Sequence, residues 1–327
     1  MPRMSTLFAA LIAAAISGIA LGALTRSRGL PFDRPNARSL HRGAVRRGGG
    51  VAIWLGWCAG TLWLPGFQPW LLPLAAVVII SFFDDYHGIA APWRLLVHLA
   101  AAVAWIWLAG PLPNLPVAAV TVAAIVWMAN LYNFMDGSDG LSATMAVVGF
   151  GSYALAAHWA GSDAAASLLA VAAAVAPFLL VNWPPARVFL GDVGAVPLGF
   201  LAAVFSVEGW REAWWPAWFP LLVFLPFIAD ASSTLARRLL GGDAVWRAHR
   251  DHYYQRLVQL GFGHAGTLAL YVALMIGAAV TALAALARAP QTGWYLLLVW
   301  TMALALLFAS VAQQWRTRFK ALDESKR

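Results

Sequence analysis

The chain has 327 residues, of which 61% are hydrophobic and only 11% are charged, and its formal net charge is +8. Soluble globular chains carry about 25% charged residues, so this composition excludes an ordinary soluble domain and indicates a membrane protein. Charge-free stretches such as 164–181, 266–287 and 293–312 approach or exceed the roughly 18–20 residues that a membrane-spanning helix needs.

The apolar stretches predict an all-α, polytopic membrane protein with about eleven transmembrane helices. In chain order the predicted spans are 7–24, 51–67, 69–83, 92–109, 115–131, 142–159, 164–182, 194–208, 214–235, 266–287 and 293–312. Because these spans use most of the chain, we expect a single integral membrane domain over 1–327, with a basic cytoplasmic tail at 313–327. Span 7–24 resembles a cleavable signal peptide, but one Arg before it and seven soon after favour an anchor whose N-terminus lies outside.

The distribution of basic residues predicts the orientation of the chain. With the N-terminus outside, the inner segments hold 19 of the 22 Lys and Arg residues, and only Arg3, Arg211 and Arg288 fall outside. The positive-inside rule gives this asymmetry for a protein whose C-terminus is cytoplasmic. The basic excess is therefore an orientation signal, and we expect no nucleic-acid partner.

Five polar clusters share the predicted inner face, whereas the predicted outer loops are short. The clusters are 32–50, 82–95, 130–142, 182–195 and 246–257. We therefore expect a functional site on the cytoplasmic side of the membrane. The single cysteine, Cys58, lies in a predicted span. It cannot form an intramolecular disulfide or a thiolate metal cluster, so we expect it to have a packing role.

Asp84 and Asp85 end the third predicted span. An adjacent acidic pair at a helix C-terminus opposes the helix dipole, and neighbouring carboxylates repel unless a cation lies between them. Solvated helix-end charges would explain one aspartate better than two. Hard oxygen ligands of this kind suit Mg²⁺, or Mn²⁺ as the alternative.

The segment NLYNFMDGSDGLS, residues 130–142, follows a long apolar run. Its polar side chains are Asn130, Asn133, Asp136 and Asp139. The two aspartates share one face if the segment is helical, whereas Gly137 and Gly140 allow a sharp turn close to a ligand. The spacing is not that of an EF-hand calcium loop. A plain turn would need neither asparagine amide, so we expect a binding role for this segment.

The segment FLGDVG sets Asp192 between two glycines, after prolines that break the preceding span. A structural turn explains the prolines and glycines but does not explain Asp192. Arg187 lies close behind the prolines. Phe189 has two interpretations: its ring stacks on a planar base, or its side chain is simply embedded in the membrane.

The segment HRDHYYQRL places His249, Arg250, His252 and Arg256 within eight residues. His249 and His252 fit one helical face. A solvated basic loop and a phosphate clamp both remain open, since Arg is well shaped for phosphate. A zinc site is disfavoured because the segment has no thiols. Lysine-based phosphate loops are excluded, because the only lysines in the chain lie in the tail.

Several aspartates, arginines and histidines on one face of a membrane protein indicate metal-assisted phosphoryl transfer with a lipid substrate. The main alternative is a proton-coupled secondary transporter, and a weaker one is a structural membrane scaffold. Transporter sites lie near the bilayer midplane, whereas these clusters lie at predicted helix ends. A scaffold leaves the carboxylates unexplained.

At these residues the chain resembles the polyprenyl-phosphate N-acetylhexosamine-1-phosphate transferases of glycosyltransferase family 4. It is closest to the O-antigen-initiating type, which is related to phospho-N-acetylmuramoyl-pentapeptide transferase. The resemblance covers about residues 25–265 and rests on five ordered blocks: DRPNARSLH…RRGGG, DDYHGIAAPWRL, NLYNFMDGSDGL, PARVFLGDVGAVPLG and HRDHYYQRL.

The resemblance implies a bacterial inner-membrane enzyme with its active site on the cytoplasmic face. It implies transfer of an N-acetylamino-sugar 1-phosphate from a UDP-sugar to undecaprenyl phosphate, with Mg²⁺ as cofactor and release of UMP. The product would start a cell-envelope polysaccharide such as O-antigen. A homodimer is compatible with the family. The resemblance does not identify the donor amino sugar.

The resemblance also implies roles for individual residues. Asp84 and Asp85 match the acidic pair implicated in handling the lipid phosphate, and Asp192 matches the aspartate that holds magnesium. Phe189 matches the aromatic residue that stacks on uracil. The catalytic set is Asp84, Asp85, Asp136 and Asp139, the substrate-binding set is Asn130, Asn133, Arg187, Phe189, His249, Arg250 and His252, and the metal ligand is Asp192.

The chain departs from the family pattern at four places, one of which is that AVRRGGG lacks the PTP that often precedes the arginine. Gly88 stands where some members have a third aspartate or a lysine, and Ala195 replaces the usual serine after the GDxG sequence. The histidine block is HRDH rather than three consecutive histidines. This last departure is what favours the O-antigen type over the peptidoglycan enzyme.

Overall fold

The computed structural model describes residues 2–26, 30–33, 40, 43–64, 68–110, 112–243 and 249–324. It is 80% helical, which confirms the predicted helical fold class. The helices are α1 (Pro2–Arg26), α2 (Gly50–Thr61), α3 (Leu71–His87), α4 (Ala91–Ala109), α5 (Leu115–Phe134), α6 (Leu141–Trp159), α7 (Ala164–Asn182), α8 (Asp192–Arg211), α9 (Trp218–Val223), α10 (Leu225–Leu240), α11 (Tyr253–Leu257), α12 (Gly263–Arg288) and α13 (Gly293–Glu324).

Among the described residues, eight helical segments are long and apolar enough to cross a membrane by length and composition. They are Thr6–Arg26, Ala91–Ala109, Leu115–Phe134, Leu141–Trp159, Ala164–Asn182, Asp192–Arg211, Tyr253–Arg288 and Pro290–Arg318. Each overlaps one predicted span. The polytopic arrangement is therefore supported, and the predicted count of eleven is not confirmed.

The three remaining predicted spans are short or broken. Helix α2 has 12 residues and α3 has 17, which at 1.5 Å per residue gives about 18 Å and about 26 Å, less than the roughly 30 Å hydrocarbon core. The predicted span 214–235 is divided at Phe224 between α9 and α10. Pro226 lacks the N–H that would continue the helical hydrogen bonding there.

Small residues allow α1 and α2 to pack closely. A Cβ atom added at Gly56 would lie 2.4 Å from the carbonyl oxygen of Ala13, and one at Gly60 would lie 2.5 Å from that of Ala9. Two glycines four residues apart thus form the close contact that is typical of membrane helices. Cys58, on the same helix, is exposed.

Helix α8 forms the centre of the bundle. It packs against α3 and α5, and its first fourteen residues, Asp192 to Phe205, are all buried. A helix that is apolar on every side is expected in such a core position. The one charged residue in this buried stretch, Asp192, stands at the first position of the helix.

A small sheet holds the N-termini of α2 and α8 side by side. Strand β2 (Val45–Arg47) pairs antiparallel with β1 (Phe32–Asp33) and parallel with β3 (Val188–Phe189). The backbone N–H of Gly49 donates to the carbonyl of Phe189 at 2.9 Å, and that of Gly50 donates to Leu190 at 2.9 Å. Because β2 leads into α2 and β3 leads into α8, the sheet places Arg47 beside the start of α8.

The chain between 249 and 263 differs from the predicted helical face. His249 and His252 precede α11, which begins at Tyr253 and is followed by a π-helical turn, Val258–Phe262. A kink at Gly261, whose φ is +108°, ends this turn before α12. The two histidines are therefore close in space, but they do not share a helix face.

Candidate active site

Three aspartates and two arginines meet where α3, α4 and α8 converge. Arg47 Nε lies 2.7 Å from Asp85 Oδ1, and Arg47 Nη2 pairs with Asp192 Oδ1. Arg94 Nη1 lies 2.5 Å from Asp84 Oδ2 and 3.0 Å from Asp192 Oδ2. Asp192 is thus bridged by both arginines, and we call these five residues the acidic cluster.

Asp85 caps the N-terminus of α8. Its Oδ1 accepts the backbone N–H of Asp192 at 2.9 Å, and its Oδ2 accepts that of Val193 at 3.0 Å. A carboxylate is stabilised at this end of a helix by the unpaired N–H groups and by the helix dipole. Its side chain is only 1% exposed. Asp85 therefore has a structural role in fixing the position of Asp192.

Asp84 is held less completely than Asp85. Its Oδ1 accepts the backbone N–H of Ile89 at 2.6 Å, while its Oδ2 pairs with Arg94. The side chains of Asp84 and Asp192 are 7% and 9% exposed. These two carboxylates, rather than that of Asp85, are therefore the ones that a bound ligand reaches most easily.

The acidic cluster has three carboxylates against two guanidinium groups, which leaves one net negative charge. Burial acts to lower the pKa of Arg47, but the carboxylates of Asp192 and Asp85 outweigh burial and raise that pKa above its ordinary value. Arg47 therefore stays charged. An uncompensated negative charge at the end of a membrane helix is unfavourable, so this cluster is suited to binding a cation.

Asp136 lies in the loop between α5 and α6, close enough to interact with Arg47, Asp192 and Asp85. Burial is the main cause that raises the pKa of Asp136 well above its usual range, and the two neighbouring carboxylates raise it further. The loop is not helical, and Gly140 adopts a φ of +74°. Of the two predicted alternatives for this segment, the sharp turn is confirmed.

Asp139 and Asn182 anchor this loop to the neighbouring segment. Asp139 Oδ2 accepts the backbone N–H of Ala186 at 2.9 Å, and its Oδ1 lies 3.5 Å from His264 Nδ1. Asn182 accepts the N–H of Gly140 at 2.8 Å and donates to the carbonyl of Val188 at 2.8 Å. Asp139 is thus placed as an anchor of the loop.

The remaining predicted residues of this region differ in exposure. The Nδ2 of Asn130 donates to the carbonyl of Val126 in its own helix at 2.7 Å, and Asn133 is half-buried one turn further on. Phe189 is half-buried in β3, and the Arg187 side chain is exposed. Because β3 leads directly into α8, these last two residues lie shortly before Asp192 in the chain.

The histidine segment packs against the end of α5. The rings of His249 and His252 stack with centroids 5.0 Å apart, and His252 stacks on Phe134 at 6.0 Å. The Tyr254 hydroxyl donates to the carbonyl of Phe134 at 2.9 Å. A Cβ atom at Gly137 would lie 2.2 Å from that hydroxyl oxygen. Gly137 is therefore required for this close approach, which brings the histidine segment beside Asp136.

The residues of the histidine segment differ in exposure and in charge. Burial, followed by the nearby His252 and Arg238, lowers the pKa of His249 to about 4, so His249 is neutral at pH 7. Arg250 is exposed, whereas His252 is only 2% exposed. A phosphate contact through this segment is therefore expected from Arg250 rather than from the two histidine rings.

Sequence reasoning missed several residues that build the site. They are Arg47, Arg94, Asn182, Asp230, Tyr254 and His264. Arg47 and Arg94 lie inside the quoted sequence blocks, so a count of charges around the aspartates could have found them. Asp230 is the one charged residue within the predicted span 214–235, which two arginines follow in the sequence. An ionisable residue inside a predicted membrane span is by itself a sign of function.

The donor chemistry of the cluster fits a hard divalent cation. Within the described part of the chain, no group of three or more His, Cys, Asp or Glu side chains is arranged to hold a metal ion. Mg²⁺ commonly takes only one or two carboxylates, and substrate phosphates and waters complete its shell. Asp84 and Asp192, which are more exposed than Asp85, supply two such carboxylates.

Comparison with known proteins agrees with this geometry. The family model described as glycosyl transferase family 4 matches residues 67–209, a range that contains Asp84, Asp136 and Asp192. Residues 67–209 are thus similar to glycosyl transferase family 4. The histidine segment and Arg47 lie outside the matched range but pack directly onto it.

Similarity to individual curated proteins extends over most of the chain. One, from Bacillus subtilis (strain 168), bears the name "Probable undecaprenyl-phosphate N-acetylglucosaminyl 1-phosphate transferase" and is 27% identical over 274 residues, 75% of this chain and 74% of the relative. The undecaprenyl-phosphate alpha-N-acetylglucosaminyl 1-phosphate transferase of Yersinia pestis is 25% identical, covering 87% of this chain and 85% of its own. The phospho-N-acetylmuramoyl-pentapeptide-transferase of Lacticaseibacillus paracasei is 35% identical over 115 residues, 34% of each chain.

Proposed function

We propose that the protein transfers an N-acetylamino-sugar 1-phosphate from a UDP-sugar to undecaprenyl phosphate and releases UMP. The product would start a cell-envelope polysaccharide. The observation that carries the proposal is the acidic cluster, in which Asp192 is bridged by Arg47 and Arg94 beside Asp84. The names of the relatives support the acceptor, undecaprenyl phosphate, and the amino-sugar 1-phosphate that is transferred.

The proposed reaction exchanges one phosphoanhydride bond for another. A phosphate oxygen of undecaprenyl phosphate attacks the phosphorus that carries the sugar, and the bond from this phosphorus to the UMP phosphate oxygen breaks. The products are undecaprenyl-diphospho-sugar and UMP. The developing negative charge lies on phosphate oxygens, so catalysis depends on positioning and on cationic groups around them.

Residues of the chain supply both the positioning of the substrates and the cationic groups. Arg47 and Arg94 hold positive charge at the cluster, and each has planar N–H groups that suit phosphate oxygens. Asp84 is placed to orient the lipid phosphate or to accept a proton from it, because it is more accessible than Asp85. Exposed Arg250 and half-buried Phe189 are placed to receive the diphosphate and the uracil of the donor.

Asp192 and Asp84 are the residues that would hold the magnesium ion. When bound, Mg²⁺ would neutralise phosphate charge and so favour attack by one anion on another. The net negative charge of the acidic cluster supports this assignment, because a cation offsets it. Both oxygens of Asp85 are bonded to α8 and its side chain is only 1% exposed, so it would support the ligands without being one.

We also propose that the site faces the cytoplasm of a bacterium, at its inner membrane. The polar clusters in the described residues lie at one end of the helices, and 19 of the 22 basic residues belong to the segments predicted on that side. UDP-sugars are made and kept in the cytoplasm, so a transferase that uses them must be open to that side.

The decisive experiment is a UMP-release assay on the detergent-purified protein with undecaprenyl phosphate and a panel of UDP-N-acetylamino sugars. We expect UMP to appear only when both substrates and Mg²⁺ are present, together with a lipid product whose mass equals undecaprenyl-diphospho-sugar. A proton-coupled transporter would release no UMP with any donor. That outcome, from folded protein, would refute the proposed reaction.

A further inference from the structure

Asp230 is the most deeply buried carboxylate outside the acidic cluster. It lies in α10 with 0% of its surface exposed, one turn before Thr234. None of the steps proposed above uses it. A fully buried carboxylate is costly unless several donors and a charged partner compensate it, so its contacts define what it holds in place.

Four hydrogen-bond donors converge on the two oxygens of Asp230, and the His252 ring lies close by. Oδ1 accepts the backbone N–H of Tyr253 at 2.9 Å and the hydroxyl of Thr234 at 3.3 Å, and it lies 3.4 Å from His252 Nδ1. Oδ2 accepts the backbone N–H of Tyr254 at 2.9 Å and the hydroxyl of Tyr271. The carboxylate thus joins α10, the start of α11 and α12.

Two of these contacts have the same geometry as the cap on α8. Asp85 accepts the first two N–H groups of α8, and Asp230 accepts the first two N–H groups of α11. A helix of only five residues has little stability of its own. The position of α11, and of His252 immediately before it, therefore depends on this buried carboxylate.

The start of α11 in turn touches the predicted donor site. Tyr254, whose N–H is held by Asp230, donates its hydroxyl to the carbonyl of Phe134 and lies against Gly137. His252 stacks on Phe134 and on His249. A shift of α11 would therefore move the segment that carries Asp136 and the loop that carries Arg250.

We infer that Asp230 is a positioning residue for the transfer reaction: it fixes the start of α11 and the His252 ring, and through them the donor side of the site. This inference rests on the proposed function. It assigns Asp230 no contact with either substrate. In this arrangement Asp230 positions the residues on the UDP-sugar side of the site, whereas Asp85 positions those of the acidic cluster.

The test compares Asp230→Asn with Asp230→Glu, Tyr271→Phe and His252→Ala. Asparagine offers one acceptor oxygen and places N–H groups against donors, whereas glutamate keeps the charge and both oxygens. Tyr271→Phe is the matched control, since it removes one donor from the same carboxylate and leaves both helix N–H groups in place. Steady-state kinetics are measured per folded protein, with UDP-N-acetylglucosamine and undecaprenyl phosphate varied in turn.

We expect Asp230→Asn to raise the KM for the UDP-sugar about tenfold and to lower kcat, because a misplaced donor site reacts slowly. The KM for undecaprenyl phosphate should stay near wild type. The loss should be non-additive with His252→Ala in the double variant, since both act through one segment. Tyr271→Phe should lower thermal stability and leave the kinetic constants near wild type, and Asp230→Glu should recover part of the loss.

If Asp230 had a purely structural role, Asp230→Asn would lower the yield of folded protein and leave both KM values unchanged. That result would overturn the inference. Equal increases in both KM values, or additive losses with His252→Ala, would do the same. If Asp230→Asn does not fold, Asp230→Glu carries the test: a selective rise in donor KM supports the inference, and unchanged constants oppose it.

A protein that releases no UMP even as wild type would refute the proposed function separately. In that case amide hydrogen exchange tests whether Asp230 fixes the start of α11. The amides of Tyr253 and Tyr254 should exchange faster in Asp230→Asn than in Tyr271→Phe. Equal exchange in the two variants would show that Asp230 does not fix α11.

Discussion

Replacing Asp192 with asparagine is the sharpest test of the acidic cluster. The change keeps the shape of the side chain and removes the one carboxylate that both Arg47 and Arg94 bridge. The fold should survive, because Arg47 still pairs with Asp85 and Arg94 still pairs with Asp84. The variant therefore isolates the charge of Asp192.

The expected loss can be derived from these contacts. Each charge-assisted hydrogen bond contributes about 1.5–3 kcal/mol, and Asp192 accepts one from each arginine. If these interactions and those to the metal hold the phosphates in the transition state, the barrier should rise by several kcal/mol. About 4 kcal/mol corresponds to a roughly thousandfold slower turnover.

The assay is UMP release across a magnesium titration, after the melting temperature has shown that the variant is folded. Asp163→Asn is the matched control, because Asp163 is exposed in a turn and its side chain makes no capping hydrogen bond to α7. The control should be near wild type. Near-normal turnover of Asp192→Asn at ordinary magnesium would refute the metal-ligand role of Asp192. Strong rescue of turnover by high magnesium would indicate that Asp84 is the principal magnesium ligand.

Three further changes test separate parts of the site. Asp139→Asn keeps an oxygen that can accept the N–H of Ala186, so turnover should fall by less than about tenfold, the effect of one neutral hydrogen bond; a thousandfold loss would place Asp139 in the chemistry. The folded pKa of His249 is about 4 against an ordinary 6.5, so the unfolded chain takes up a proton first and wild type loses stability as pH falls from 6.5 towards 4. His249→Gln should therefore show a smaller drop in melting temperature between pH 7 and pH 5, and an equal drop would contradict the assigned pKa. In a cysteine-free background, Asp243→Cys should resist an impermeant maleimide in intact cells and Asp163→Cys should react, whereas the reverse pattern would overturn the orientation.

The long helices could be predicted from the sequence because burial in lipid requires a continuous apolar run. The predicted span 164–182 matches α7 residue for residue, and 115–131 falls within α5. The same reasoning overestimated 214–235, since hydropathy counts apolar residues and is insensitive to a break at Phe224. It also treated α2 as a span, although its helical part ends at Thr61.

The pairing within the site could not be predicted in the same way. Arg47 and Asp192 are 145 residues apart, and they meet through strands of two and three residues that have no detectable periodicity. The sequence identified Asp84, Asp85, Asp136 and Asp192 as polar residues at helix ends. It could not distinguish the carboxylate that caps α8 from those that remain accessible, because that difference depends on which N–H groups lie opposite.

The two buried capping aspartates explain how a membrane protein can hold a charged site at the end of its helices. Each carboxylate is neutralised by a helix N-terminus and by a nearby cationic or polar group: Asp85 by α8 and Arg47, and Asp230 by α11 and Tyr271. Both of these carboxylates accept two helix N–H groups and are almost completely buried. The carboxylates of Asp84 and Asp192 are more exposed, and the three aspartates of the acidic cluster share only two arginines, so one negative charge there is unbalanced. A divalent ion and a diphosphate brought to that point would restore the balance, and this is why the substrate site is expected at Asp84 and Asp192 and not at the more deeply buried aspartates.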